Sequence, residues 1–174
     1  MKYPLSSRIL HWLMAAIILF MLGLGIYMTN FLSKEAPNRM DVYNLHKSLG
    51  ALVLALIIVR AVNRFALGAP AMPQTLPKSQ KILAHLAHFG LYILMILAPL
   101  SGYLMSNLFG YPVAFFGIEL PKIAETNFKL GDFFHEMHEI LPYVLLGLIT
   151  VHILAVVKHR FFDKPENDVL KRMV

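Results

Sequence analysis

Residues 138–157 read HEILPYVLLGLITVHILAVV. From Ile140 to Val157 the stretch holds no Asp, Glu, Lys or Arg, and its one histidine is His152. With its flanking turns the run is about long enough to cross a hydrocarbon core of roughly 20 helical residues. His138 stands just before it. His138 and His152 are 14 positions apart, about 21 Å along a helix at 1.5 Å per residue. Fourteen helical steps fall about 40° short of four full turns, so the two imidazoles face nearly the same way at opposite depths.

Three further apolar runs precede this one. The first is Ile9 to Tyr27, with His11 near its start. The second is Leu49 to Val59, extended by Leu45, His46, Ala61 and Val62. The third is Ile82 to Leu104, carrying His85, His88 and Pro99. Arg60 and Arg64 at the far end of the second run are expected to snorkel outward. The reading is a single integral membrane domain over residues 1–174, with spans at about 7–29, 43–65, 80–106 and 134–160. Gly68, Pro70, Pro73 and Pro77 mark residues 67–79 as an exposed loop. Residues 108–132 read as a polar loop with a short interfacial helix. The first run is too long for a signal peptide and ends in no small-x-small cleavage signal. No internal repeat or low-complexity segment interrupts the pattern.

Composition agrees. The chain is 57% hydrophobic and 15% charged, against about 25% charged in soluble domains. Its net charge of +6 does not point to nucleic acid, because the basic residues sit at the ends of apolar runs. Eleven of the 16 lysines and arginines fall on the side that holds both termini: Lys2, Arg8, Arg60, Arg64, Lys78, Lys81, Lys158, Arg160, Lys164, Lys171 and Arg172. Such a bias places both termini in the cytoplasm. The chain has no cysteine, which excludes disulfides, thiolate metal sites and thioether-bound haem.

The eight histidines are then the main chemical resource. Ionisable groups inside a span are costly and usually have a partner or a function. His11 matches His152 in depth, and His46 matches His138. Imidazole is a good axial ligand for haem iron, so two such pairs could hold two haems without covalent attachment. His85 or His88 lies near the depth of His11 and could replace His11 or His152; the blander reading has both bonding propionates or backbone. Arg8, Arg60 and Lys47 lie close enough to pair with propionates or simply to set topology. Gly23, Gly25, Gly50, Gly90, Gly102 and Gly147 could make room for a flat macrocycle or serve as ordinary helix contacts.

The ordered set of motifs resembles the bacterial cytochrome b-561 family. Arg8-Ile9-Leu10-His11-Trp12 opens the first span and Asn44-Leu45-His46-Lys47-Ser48 the second. Leu83-Ala84-His85-Leu86-Ala87-His88 opens the third. His135-Glu136-Met137-His138-Glu139 and Gly147-Leu148-Ile149-Thr150-Val151-His152 mark the fourth. The resemblance implies an all-α bundle of four transmembrane helices binding two b haems in the bacterial inner membrane. It implies axial ligands at His11, His46, His138 and His152, and exchange of electrons with ubiquinone. Some members of the family oxidise superoxide to oxygen, which makes superoxide the expected small-molecule donor.

Within that frame, His159 stands seven residues beyond His152, on the same face and about 10 Å nearer the surface. With Phe161 and Phe162 it could form a quinone contact, histidine being able to supply a proton near neutral pH. The competing reading makes Lys158-His159-Arg160 a basic anchor at a helix end. Two other functions stay open: a haem subunit serving a partner dehydrogenase or hydrogenase, and a non-redox, histidine-rich metal carrier.

Overall fold

The computed structural model describes residues 2–174. Four long helices make up most of the chain: α1 (Leu5–Asn30), α2 (Arg39–Leu67), α3 (Lys78–Leu108) and α4 (Phe128–Phe161). Each contains a window of 18 residues with mean hydropathy between 1.8 and 2.4, so all four can cross a membrane by length and composition. Local chemistry sets their ends. Pro4 and Pro77 immediately precede α1 and α3, where a missing N–H interrupts no helical bond. The Asn127 side chain caps α4 by accepting the Leu130 N–H at 3.1 Å. Gly68, at φ 70°, closes α2; a side chain there would be strained.

Helices adjacent in sequence pack on one another, α3 on α4 most extensively. Among the described residues, α4 has no comparable backbone packing against α1 or α2. Midway along the bundle, Met14 and Ile18 of α1, Val53 and Ile57 of α2 and Leu145 of α4 form a buried apolar layer, supported by Leu91, Tyr92 and Met95 of α3. The outside is equally apolar: Leu13, Phe20, Ile58, Leu83, Phe89, Val144 and Val151 are exposed. A surface of this kind is solvated by lipid tails.

Two expectations need correction. The connection expected over residues 108–132 runs from 109 to 127 between α3 and α4 and contains no interfacial helix. It forms a hairpin of β1 (Ala114–Phe115) and β2 (Ile118–Glu119), turned by Phe116 at φ 48° and Gly117 at φ 94°, the left-handed pair that suits a two-residue turn. Ser48 of α2 pins this hairpin, donating to the Ala114 carbonyl and accepting the Phe116 N–H, both at 3.0 Å. Arg60 does not snorkel outward. It turns inward, with Nη2 3.1 Å from His11 Nδ1 and its guanidinium 5.9 Å from the centre of the Tyr92 ring. A deep imidazole and an aromatic face solvate the cation within the bundle.

The end of the bundle that carries both termini is tied together by the segment after α4. The Asp168 side chain is almost fully buried and bonds Arg160. Arg172 donates to the Ala71 carbonyl of the α2–α3 connection at 2.7 Å, and Trp12 of α1 donates to the Met173 carbonyl at 2.8 Å. Burial pushes the Asp168 carboxyl up, but the hydrogen bonds from Arg160 and the Lys171 N–H outweigh it and leave it below its ordinary value. A lowered carboxyl stabilises the fold at neutral pH and loses that contribution as pH falls. Asp168→Asn is therefore expected to cost about 1 kcal/mol, at the low end for a charged hydrogen bond because Arg160 is partly exposed. A thermal melt should move down by roughly 2–4 °C, and the difference from wild type should shrink in acid.

Candidate functional site

Two layers of imidazoles flank the apolar middle of the bundle. In the layer nearer the termini, the rings of His11 on α1 and His152 on α4 have centroids 6.4 Å apart, inclined at 70°. In the layer nearer the hairpin, His46 on α2 and His138 on α4 are 6.0 Å apart, inclined at 83°. Each pair spans two helices that lack close backbone packing, so these side chains face each other across room rather than across a tight interface.

His138 is the most firmly held. Its Nδ1 lies 2.8 Å from the Ala98 carbonyl and 3.2 Å from Ser101 Oγ. A carbonyl can only accept, so Nδ1 carries the proton and Nε2 keeps its lone pair. This is the tautomer that a metal-ligating histidine needs, with its other nitrogen held by the backbone. Gly102 makes the approach possible: a Cβ there would stand 2.7 Å from the His138 ring. A Cβ added at Gly25 would stand in ordinary contact range of His46, 3.9 Å from its Cε1.

The other pair is arranged differently. Arginine cannot accept, so Arg60 donates to His11 Nδ1 at 3.1 Å. Ligation through His11 Nε2 requires Arg60 to release that nitrogen. A carboxylate, a stronger acceptor for guanidinium, would draw it away. His88 of α3 is also close, 5.6 Å from His152 between ring centroids. His85 is exposed, and neither His85 nor His88 makes a hydrogen bond among the described residues.

These residues fit b-type haem on three counts. Each proposed pair brings imidazoles from two separate helices to 6.4 and 6.0 Å between ring centroids, so each could hold one haem iron. The Nδ1 of His46 is buried with no partner, as are Arg8 Nε and Arg60 Nη1. Buried groups left without partners are costly, and haem propionates would satisfy the two guanidiniums. Neutral nitrogen donors with no thiolate suit iron held in a porphyrin.

The remaining candidates separate clearly. His159 lies half-buried at the end of α4, with Nδ1 2.9 Å from Asp163 Oδ2. Lys47 reaches the Pro112 carbonyl at 3.1 Å beside the hairpin, and among the described residues no carboxylate neutralises it. Sequence reasoning passed over Ser101, the Ala98 carbonyl and Asp163. Ser101-Gly102 inside an apolar span, and Asp163 four residues after His159, were the signals that could have exposed them.

Comparison with known proteins identifies the family. The chain is 30% identical to cytochrome b561 homolog 2 of Escherichia coli (strain K12), across 99% of its own length and 91% of that protein's. It is 26% identical to the protein named probable superoxide oxidase CybB of Yersinia pestis, across 99% and 96% of the two chains. The family model described as prokaryotic cytochrome b561 matches residues 2–174. With four lipid-solvated helices and imidazoles paired across them, this chain belongs to the prokaryotic cytochrome b561 family, and its work is haem b electron transfer in a bacterial membrane.

Proposed function

We propose that the chain carries two haems b, one per imidazole layer, and moves electrons from a small donor at the hairpin end to ubiquinone at the end that carries the termini. The observation behind this reading is the pairing itself: His46 with His138 at 6.0 Å and His11 with His152 at 6.4 Å between ring centroids, each pair drawn from two helices and each able to hold one haem iron. The excess of lysine and arginine around the termini supports a cytoplasmic location for that end. The hairpin end then faces outward. Superoxide is the favoured donor, in keeping with the name of the Yersinia pestis relative.

Haem b, when bound, supplies a one-electron carrier at each layer. The protein does the rest. The Ala98 carbonyl fixes the His138 tautomer. Arg8 and Arg60 offer unpaired guanidinium nitrogens to propionates. The layer of Met14, Ile18, Val53, Ile57 and Leu145 keeps water out of the space between the two sites. Lys47, un-neutralised beside His46, provides positive charge where an anionic donor would arrive. His159 serves as the quinone contact. Two superoxide ions, one quinone and two protons yield two molecules of oxygen and one quinol, so the quinone end must supply two protons to match the two electrons that arrive from the hairpin end.

Three measurements check this reading. A pyridine haemochrome assay on purified protein should find two haems per chain; a ratio near one would discard the two-layer arrangement. His138→Ala should remove one b-type absorption band and His152→Ala the other, both read on monodisperse protein. Loss of a band in His88→Ala with both bands retained in His11→Ala would transfer the ligand role to His88. Superoxide should reduce the haems, and His159→Ala should keep both bands while slowing their reoxidation by a ubiquinone analogue about 10-fold or more. Unchanged reoxidation would make His159 a helix-end anchor.

A further inference from the structure

Asp163 follows α4 directly, and its carboxylate collects four donors. Oδ2 accepts from His159 Nδ1 at 2.9 Å and Lys158 Nζ at 3.2 Å. Oδ1 accepts from the Lys164 N–H at 2.8 Å and Asn167 Nδ2 at 3.0 Å. Asn167 is itself buried, 3% exposed, and accepts a hydrogen bond from Thr75 Oγ1 in the α2–α3 connection. The carboxylate is thus placed by three segments of chain rather than by one flexible side chain. The side chains of His159 and Asp163 are only 14% and 19% exposed, whereas that of Lys158 is 47% exposed and adds little.

We propose that Asp163 is a positioning residue for quinone reduction: it holds His159 with the proton on Nδ1, leaving Nε2 as the nitrogen that passes protons to the quinone. The proposal rests on the quinone contact at His159 given above. A carboxylate on one imidazole nitrogen fixes the tautomer and orients the ring, so that the other nitrogen does the chemistry. In the step itself, the quinone takes two electrons from the one-electron donor through the protein and two protons from the termini side. His159 in its protonated form releases the Nε2 proton to a quinone oxygen and regains one from water. Asp163 stays ionised throughout: the Asn167 amide, the Lys164 N–H and His159 hold its carboxyl well below the ordinary carboxylate range. An ordinary basic anchor would need none of this. Lys158 and Arg160 already supply charge at the helix end, and a charge that only anchors the helix does not need its imidazole neighbour held in one orientation.

The first test needs no change at Asp163. Nitrogen-15 NMR of histidine-labelled, haem-loaded, fully reduced protein in mildly alkaline buffer, with His159 assigned by the signals lost in His159→Gln, should show Nδ1 protonated and Nε2 bare. Asp163→Ala should shift His159 toward the Nε2-protonated form common in free imidazole. It should slow haem reoxidation by a short-chain ubiquinone about 10- to 100-fold and leave both haem bands unchanged. Asp163→Glu should recover much of the rate. A wild-type His159 protonated on Nε2 would overturn the proposal. So would an Asp163→Ala protein that reoxidises normally while His159→Gln is slow, which would leave the quinone contact standing. If His159→Gln is itself unimpaired, the quinone contact falls and the role of Asp163 with it.

Discussion

An imidazole among apolar helices must find a partner for each ring nitrogen or bear the cost of leaving one bare. That constraint organises this bundle. His138 has one nitrogen satisfied by the Ala98 carbonyl, while the Nδ1 of His46 is buried and unmet. The helices that carry paired imidazoles are also the ones that do not close on each other. A bundle of this composition could have packed tightly through small residues, as membrane helices commonly do. It instead keeps α4 apart from α1 and α2 and lets α3 take most of the helix contacts. The proposed porphyrins would account for the room between these helices and for the unmet guanidiniums, which would pair with propionates.

The apolar layer between the histidine pairs follows from the same constraint. Met14, Ile18, Val53, Ile57 and Leu145 pack the helices together between the two layers of histidines. The two ends then differ in chemistry. The hairpin end is covered by a small sheet pinned to Ser48, two residues after His46. The end with the termini is a polar clasp in which the chain after α4 binds α1 and the α2–α3 connection.

Most of the bundle was legible in the sequence, because four long runs without paired charges admit few structures other than spanning helices. The depth matching of His11 with His152 and of His46 with His138 was legible for a related reason: position along a helix converts directly into height. What sequence could not supply was lateral placement. Arg60 looked like a snorkelling residue because its height is near the surface, and only the packing of α1 and α3 around it shows that it turns toward His11 and Tyr92. The hairpin was missed because two residue pairs at a polar loop leave no periodicity to read. Gly102 looked like any small helix-contact residue until His138 was seen 2.7 Å from where its Cβ would stand. Asp163 and Asn167 lie beyond the last span, where a polar residue is the rule and carries no signal of burial.

Electron paramagnetic resonance of the fully oxidised protein tests the central claim most directly, because it reports how each iron is ligated. Two imidazoles per iron give low-spin ferric haem, and steeply crossed ring planes, as at 70° and 83° here, give strongly anisotropic signals. Two such low-spin species in equal amounts are expected. A high-spin ferric signal from either site, or a single low-spin species accounting for all the iron, would contradict the assignment of two histidine pairs to two haems.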